Sequence, residues 1–247
     1  MKKIIATLSI LLVCAIAVKA QDYKSIWGKG RYTHISYAIA QTGTDFEDVQ
    51  KAQFGFAVTK GATFLFPKTP LWGHVKFGFD VNWVDISMAK YKSSSLWDVD
   101  LSQEVDDNDD EWGALSDLMN VGRWSIMIGA LGVGPNISAT PFASFNNAAK
   151  YIKTSIYFHY QPTFGMYLVS DKDDTEASMA YCNMFQFGGC IQWKFIGIGI
   201  EGHWGSGKFK QLDFEGDDYE GNFFEGKHSN KINRKFASTR IYLSLSF

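Results

Sequence analysis

The sequence predicts an all-β fold: an antiparallel up-and-down transmembrane β-barrel, most simply of eight strands. Three observations carry that reading. Several segments alternate apolar and other residues over lengths beyond the five or six residues of an ordinary soluble strand. The connections between these segments alternate between short and mostly longer, more polar stretches. After residue 20 no apolar run reaches the length of a helical membrane span.

Eight extended segments are predicted near 31–40, 50–66, 70–90, 121–141, 149–169, 177–193, 196–210 and 235–247. In the fifth, Ile156, Phe158, Tyr160, Pro162, Phe164, Met166 and Leu168 share one face. Ser155, Tyr157, His159, Gln161, Thr163, Gly165 and Tyr167 share the other. The seventh sets Ile196, Ile198, Ile200 and Trp204 against Gly197, Gly199, Glu201 and His203. The sixth sets Met179, Tyr181, Phe185, Phe187, Ile191 and Trp193 against Ser178, Cys182, Gln186, Gly188 and Gln192. The last alternates Ile241, Leu243, Leu245 and Phe247 with Arg240, Tyr242, Ser244 and Ser246. One face suits lipid, and the other is small, polar or charged.

Alternation breaks in three places: at Lys60-Gly61, between Trp83 and Val84, and around Gly129. One extra residue in a β-bulge accounts for each. A tight hairpin at Lys60-Gly61 would instead give ten strands, but the pieces would be too short to cross a bilayer. The predicted short connections are Pro67–Pro70, Phe142–Ala148 and Lys194-Phe195. The others are Gln41–Val49, Tyr91–Asn120, Ser170–Glu176 and Phe209–Arg234. Trp193 and Phe247 are expected near one membrane interface and Trp83, Trp124 and Trp204 near the other, where amphipathic rings settle. Trp72 has the wrong parity for this scheme.

Lys2 and Lys3 precede an apolar stretch from Ile4 to Val18, too short to span a bilayer comfortably, and Val18-Lys19-Ala20 offers a cleavage site. Residues 1–20 are therefore expected to be a cleaved export signal, and 21–247 a single barrel domain. The mature chain would keep 21 basic residues against 26 acidic, a formal charge of −5. It is acidic and has no basic stripe, so no nucleic-acid partner is expected. Cys182 and Cys190 are eight residues apart on one predicted strand, about 26 Å at ~3.3 Å per residue, too far to bridge.

With both ends and the alternation in view, the chain resembles the small outer-membrane β-barrel proteins of Gram-negative bacteria, of the eight-stranded class. The resemblance covers essentially all of residues 21–247. It rests on architecture, the export signal and the closing strand, not on a functional motif, so no functional residue carries over. It implies outer-membrane lipid as surroundings. It also implies a closing-strand signal in Tyr242, Leu243, Leu245 and Phe247, read by the barrel-insertion machinery. Short connections on the periplasmic side would place both termini in the periplasm. A soluble barrel with an interior ligand cavity is the rival fold. Against it stands a glycine-rich second face with few charges for a water-facing surface.

The candidate site is the charged set on the inward parity: Lys76, Asp80, Asp85, His159, Glu201, His203 and Arg240. An eight-stranded barrel has room inside for side chains, and charges placed there must pair. The expected network pairs Glu201 with Arg240 from the neighbouring strand, with Lys76 and Asp80 nearby. It would act as a structural plug, and a gate is the functional alternative. The acidic stretch Asp98–Asp117 reads as a solvated external loop. Within it Asp106, Asn108 and Asp110 could form a weak cation site, but Glu111 stands where an EF-hand needs glycine and Asp117 replaces its bidentate Glu. No metal or cofactor is expected. No spacing advertises a catalytic set, His203 with Ser206 being the nearest pair. The expected role is therefore non-enzymatic: structural, or surface interaction through long acidic external loops. A narrow pore and a lipid-modifying barrel enzyme are the alternatives.

Overall fold

The computed structural model describes residue 27 and residues 30–43, 50–91, 122–170, 175–212 and 231–247. Eight strands form a closed antiparallel barrel in chain order: β1 Arg31–Gly43, β2 Gln50–Leu71, β3 Val75–Tyr91, β4 Gly122–Ala139, β5 Ile152–Ser170, β6 Thr175–Trp193, β7 Ile196–Leu212 and β8 Ile232–Ser246. β8 pairs back onto β1 from Tyr32↔Ser246 to Gly43↔Lys235. Closure removes the open edges that lipid cannot hydrogen-bond.

The stagger follows from the pairing. Arg31 faces Ala62, then Val81, Val133, Tyr160, Phe185, Trp204 and Ala237 in turn. Ala237 returns to β1 at Gln41, ten residues beyond the start. Such a shear tilts the strands by roughly 35–45° and leaves an interior that side chains can fill.

The outward positions carry an apolar belt: Ile198 is 66 % exposed and Ile191 65 %, with Phe64, Phe79, Ile156, Phe187 and Ile241 also exposed. On β2, β3, β7 and β8 the stripes give way at one end to outward Lys51, Lys90, Lys208, Lys210 and Lys235. Lys90 lies over the Trp124 ring at 5.3 Å, an amphipathic pair at that rim. Leaving such a belt in water would expose an apolar surface far beyond that of soluble monomers. The barrel is built for lipid outside and side chains inside, which excludes the soluble alternative.

The three breaks in alternation reduce to two bulges. Lys60 faces Val84 and Gly61 faces Asn82, which leaves Trp83 unmatched. The extra residue is thus on β3, and β2 keeps one parity from Phe54 to Phe66. On β4, Gly129 faces Thr163 while Val133 faces Tyr160, so β4 also holds one extra residue. Leu131, at φ 53°, takes the strain there. The two bulges stand opposite each other, between Asn82↔Gly132 and Val84↔Ala130, so the β3–β4 ladder stays continuous. β3 and β4 change parity together, and their polar residues remain inside.

The first short connection differs from expectation. β2 runs through Pro67 and Pro70 to Leu71, and the turn is Trp72-Gly73-His74. The β1 ladder ends at Arg31↔Ala62, so this stretch of β2 has a free side, where proline is tolerated. Trp72 and Gly73 both have positive φ (51° and 77°), and the Leu71 carbonyl accepts from the His74 amide at 3.1 Å. The odd parity of Trp72 is that of a turn residue. Segments 72–74, 140–151 and 194–195 close one end of the barrel. Tyr91, Gly122, Leu212 and Ile232, the strand ends on either side of the two longest connections, are at the other end.

Inward glycines act as seats for large side chains. A Cβ on Gly199 would meet the Tyr242 ring at 2.2 Å, one on Gly61 the Tyr32 hydroxyl at 2.4 Å, and one on Gly188 the Tyr157 hydroxyl at 2.6 Å. Gly199→Val should therefore destabilise the barrel by about 1–3 kcal/mol, the usual cost of overpacking. Outward Gly202→Val, whose Cβ meets nothing closer than 3.8 Å, should be near neutral. The midpoint of heat-induced mobility change on unboiled gels measures both.

Candidate functional site

The lumen is occupied by a polar layer at mid-height. Arg240 of β8 reaches across to β3, where its Nη1 lies 2.9 Å from both oxygens of Asp85. The same nitrogen is 3.5 Å from Glu201 Oε1. His203 Nε2 is 2.8 Å from Glu201 Oε1, and Tyr157 donates to Glu201 Oε2 at 2.7 Å. Asp85, Glu201, His203 and Arg240 are each 3–4 % exposed. Carboxylates and guanidinium this deep are tolerable only with each other's charge and several hydrogen bonds.

Neutral polar residues extend the layer. Gln186 donates to Asp85 Oδ2 at 3.0 Å and also to Gln161 Oε1. The Gln186 carbonyl accepts from Asn82 Nδ2 at 2.9 Å, and that amide also meets His159 Nδ1 at 3.2 Å. Asp80 forms the other end of the chain of contacts. It lies 2.8 Å from the Tyr32 hydroxyl, 3.3 Å from Asn136 Nδ2 and 3.5 Å from His159 Nε2. The Tyr157 hydroxyl also meets that of Tyr242 at 2.9 Å. His34 stacks between Tyr32 and Tyr242, with centroids at 4.4 and 4.2 Å.

The predicted charged set is therefore brought together, with two corrections. Glu201 and Arg240 do face each other across β7 and β8, but the shorter contact of Arg240 is to Asp85. Inside a narrow barrel a long side chain reaches a strand that is not its neighbour. Lys76 does not join the network; its Nζ lies 4.8 Å over the Trp27 ring, near the start of β3. Parity placed it inside but said nothing of depth. Tyr242, read as part of a closing-strand signal, is also a lumen residue, 2 % exposed. Leu243, Leu245 and Phe247 alternate with it on the outward side. Tyr32, Asn82, Gln161 and Gln186 were missed as partners; their inward parity was the available signal.

Beyond the polar layer, toward the long connections, the interior turns apolar. Tyr91, Met127, Tyr167, Cys182, Met184, Phe209 and Phe236 form one buried cluster. Phe209 and Phe236 pack with centroids 5.5 Å apart, and Arg234 covers Tyr167 at 4.1 Å. Two small cavities lie in the lumen among the described residues. One of ≈40 Å³ lies beside Asp85, Gln186 and Arg240, and one of ≈30 Å³ beside Tyr32, Asp80 and Lys153. Each has room for water and no more. Cys182 and Cys190 are both buried and unbridged. Among the described residues no group of three or more His, Cys, Asp or Glu could hold a metal ion. Asp106, Asn108 and Asp110 lie outside the described residues. Trp83 lines an outer groove with Arg31 and Phe247, so it belongs nearer the short-connection end than expected.

No protein-family model matches the chain, and no curated protein sequence matches it. Among solved structures, it is similar to Neisserial surface protein A (10 % identity, 88 % of this chain and 97 % of that one, TM-score 0.44). It is also similar to Ail, the attachment invasion locus protein of Yersinia pestis (11 % identity, 89 % and 99 % covered, TM-score 0.41). A third is the outer membrane protease OmpT from Escherichia coli (8 % identity, 89 % and 94 % covered, TM-score 0.36). The barrel assignment stands on this chain's own strand pairing, not on these distant likenesses.

Removing one partner of the central pair should cost far more than removing an outlying charge. Arg240→Ala takes away the guanidinium that Asp85 and Glu201 share and should destabilise by about 3–5 kcal/mol. Lys76→Ala should stay within about 1 kcal/mol, the range of an exposed cation–π contact. A double-mutant cycle of Arg240→Ala with Asp85→Ala, read by unfolding in detergent, should return coupling of about 0.5–3 kcal/mol, as for residues in direct contact.

Proposed function

We propose that this chain is an integral outer-membrane protein with a closed lumen, non-enzymatic, serving a structural or surface-interaction role through its long connections. The observation that carries the reading is the occluded interior. A polar layer spans the barrel and an apolar cluster fills the end beyond it. The two lumen cavities among the described residues are of water size, too small for a solute path. A hydrolytic role would need a nucleophile beside an accessible histidine. His159 and His203 instead face carboxylates and are 1 % and 3 % exposed.

The topology of this reading follows the rule that outer-membrane barrels keep short turns in the periplasm and longer loops outside. The ends of β1 and β8 that pair at Tyr32↔Ser246 then face the periplasm, together with 72–74, 140–151 and 194–195. The acidic stretches within 92–121 and 213–231 would face outward and supply the interacting surface. Residues 1–20 would be removed on export, and the closing strand would be read by the insertion machinery.

Two measurements test this. Purified in detergent, the unboiled protein should run faster than the boiled one, as a barrel that resists unfolding. In planar bilayers the wild type, Glu201→Gln and Arg240→Gln should all be silent. Conductance steps that change in either variant would replace the plug by a gated pore.

A further inference from the structure

The belt contains one anomaly. On β2 the outward face reads Phe54, Phe56, Val58, Lys60, Ala62, Phe64 and Phe66, so a lysine interrupts the apolar stripe. Among the described residues no other strand places a charged side chain inside its outward stripe. A charge in contact with acyl chains is costly and calls for an anion or a polar path. Lys60 faces Thr33 on β1 and Val84 on β3 across the ladder, so no neighbouring side chain supplies a carboxylate.

The surface around Lys60 is also concave. A groove of ≈590 Å³ opens on the outside of the barrel, lined among others by Arg31, Lys60, Ala62, Phe64, Trp83 and Phe247. Its floor is recessed because Gly30 and Ala62 carry little or no side chain where β1 meets β2. Its wall is the Trp83 ring, outward, 45 % exposed and without a ladder partner on β2 at the β3 bulge. Arg31 begins β1, at the short-connection end of the barrel, with Lys60 farther into the belt. The groove thus sets two cations against the single main-chain carboxylate of Phe247, on an apolar trough that starts at the rim and runs into the belt.

We propose that this groove seats an anionic phospholipid, its phosphate held by Arg31 and Lys60 and one acyl chain lying along Ala62, Phe64 and Trp83. The proposal rests on the membrane reading given above and adds a lipid class and a place. Arg31 supplies a planar donor fork at the rim, and Lys60 a point charge on a flexible stem that can bend toward the headgroup. The excess of positive charge, two cations against one carboxylate, favours an anionic headgroup over a neutral one.

The test is native mass spectrometry of the detergent-purified full chain titrated with phosphatidylglycerol or phosphatidylcholine. Wild type should retain phosphatidylglycerol preferentially, and Lys60→Gln should weaken it by about tenfold, the loss of a charge-assisted contact. Arg31→Gln should act in the same direction, while Lys210→Gln at the opposite rim should change nothing. Unboiled gel mobility of each variant verifies that the barrel is intact. Equal retention of both lipids, or full retention in Lys60→Gln, overturns the groove and leaves the membrane reading standing. A lipid-free dimer lost in Lys60→Gln would put a second copy in the groove and overturn the lipid. A chain that stays soluble without detergent removes the membrane reading itself.

Discussion

The contact between Arg240 and Asp85 is the tie on which the interior depends. It joins β8 to β3 through the lumen, between strands that are not ladder neighbours. Backbone pairing alone closes a cylinder; it does not say which side chains meet inside. A guanidinium with two carboxylates within 3.5 Å does say so, because any other stagger would leave a buried charge unpaired. The gain is in registry more than in stability, since well-packed apolar replacements can be as stable as a buried ion pair. Asp85, Gln186, Asn82 and Glu201 then each satisfy a polar group of the next residue in the layer.

The backbone accommodates this layer by two devices. Glycine on one strand leaves space for tyrosine from another, as Gly199 does for Tyr242 and Gly61 for Tyr32. Without these seats, and that of Gly188 for Tyr157, three tyrosines could not share a narrow interior with histidines and carboxylates. The facing bulges at Trp83 and Leu131 supply the second device. They reset the parity of β3 and β4 together, so that Asp80 and Asp85 both point inward although they stand an odd five positions apart. An unbulged β3 would send one of those carboxylates into lipid.

Much of the fold was legible because lipid and lumen impose opposite chemistries on alternate residues. The clean alternation of β5 from Ser155 to Leu168 gave its inward and outward faces directly. Phase breaks gave the bulges but not their ownership: Lys60-Gly61 marks where β2 faces the irregularity, while the extra residue is Trp83 on β3. The ion network was legible as membership and not as pairing. Asp85, Glu201, His203 and Arg240 declared themselves by carrying charge on the inward parity. That Arg240 binds Asp85 depends on side-chain reach across the lumen and on a ten-residue shear, neither visible in one strand's pattern. Neutral partners such as Asn82 and Gln186 look like any inward polar residue, and depth, which separates Lys76 from the rest, has no signature in alternation.

The same asymmetry of information explains why Lys60 stands out. Inward charges have several polar neighbours and become part of a network that reads as structure. An outward charge in the belt has only lipid and the residues beside it. β2 has seven consecutive outward positions from Phe54 to Phe66, and a barrel selected only for bilayer fit would make all seven apolar. Snorkelling toward the rim lowers the cost of Lys60 but does not create a concavity or place Arg31 beside it. A cation, a trough and a second cation on one seam are the elements of a binding site for an anion with an apolar tail. The bulge that keeps Asp80 and Asp85 inside also stands at Trp83, the trough's wall, so one irregularity in β3 touches both faces of the sheet.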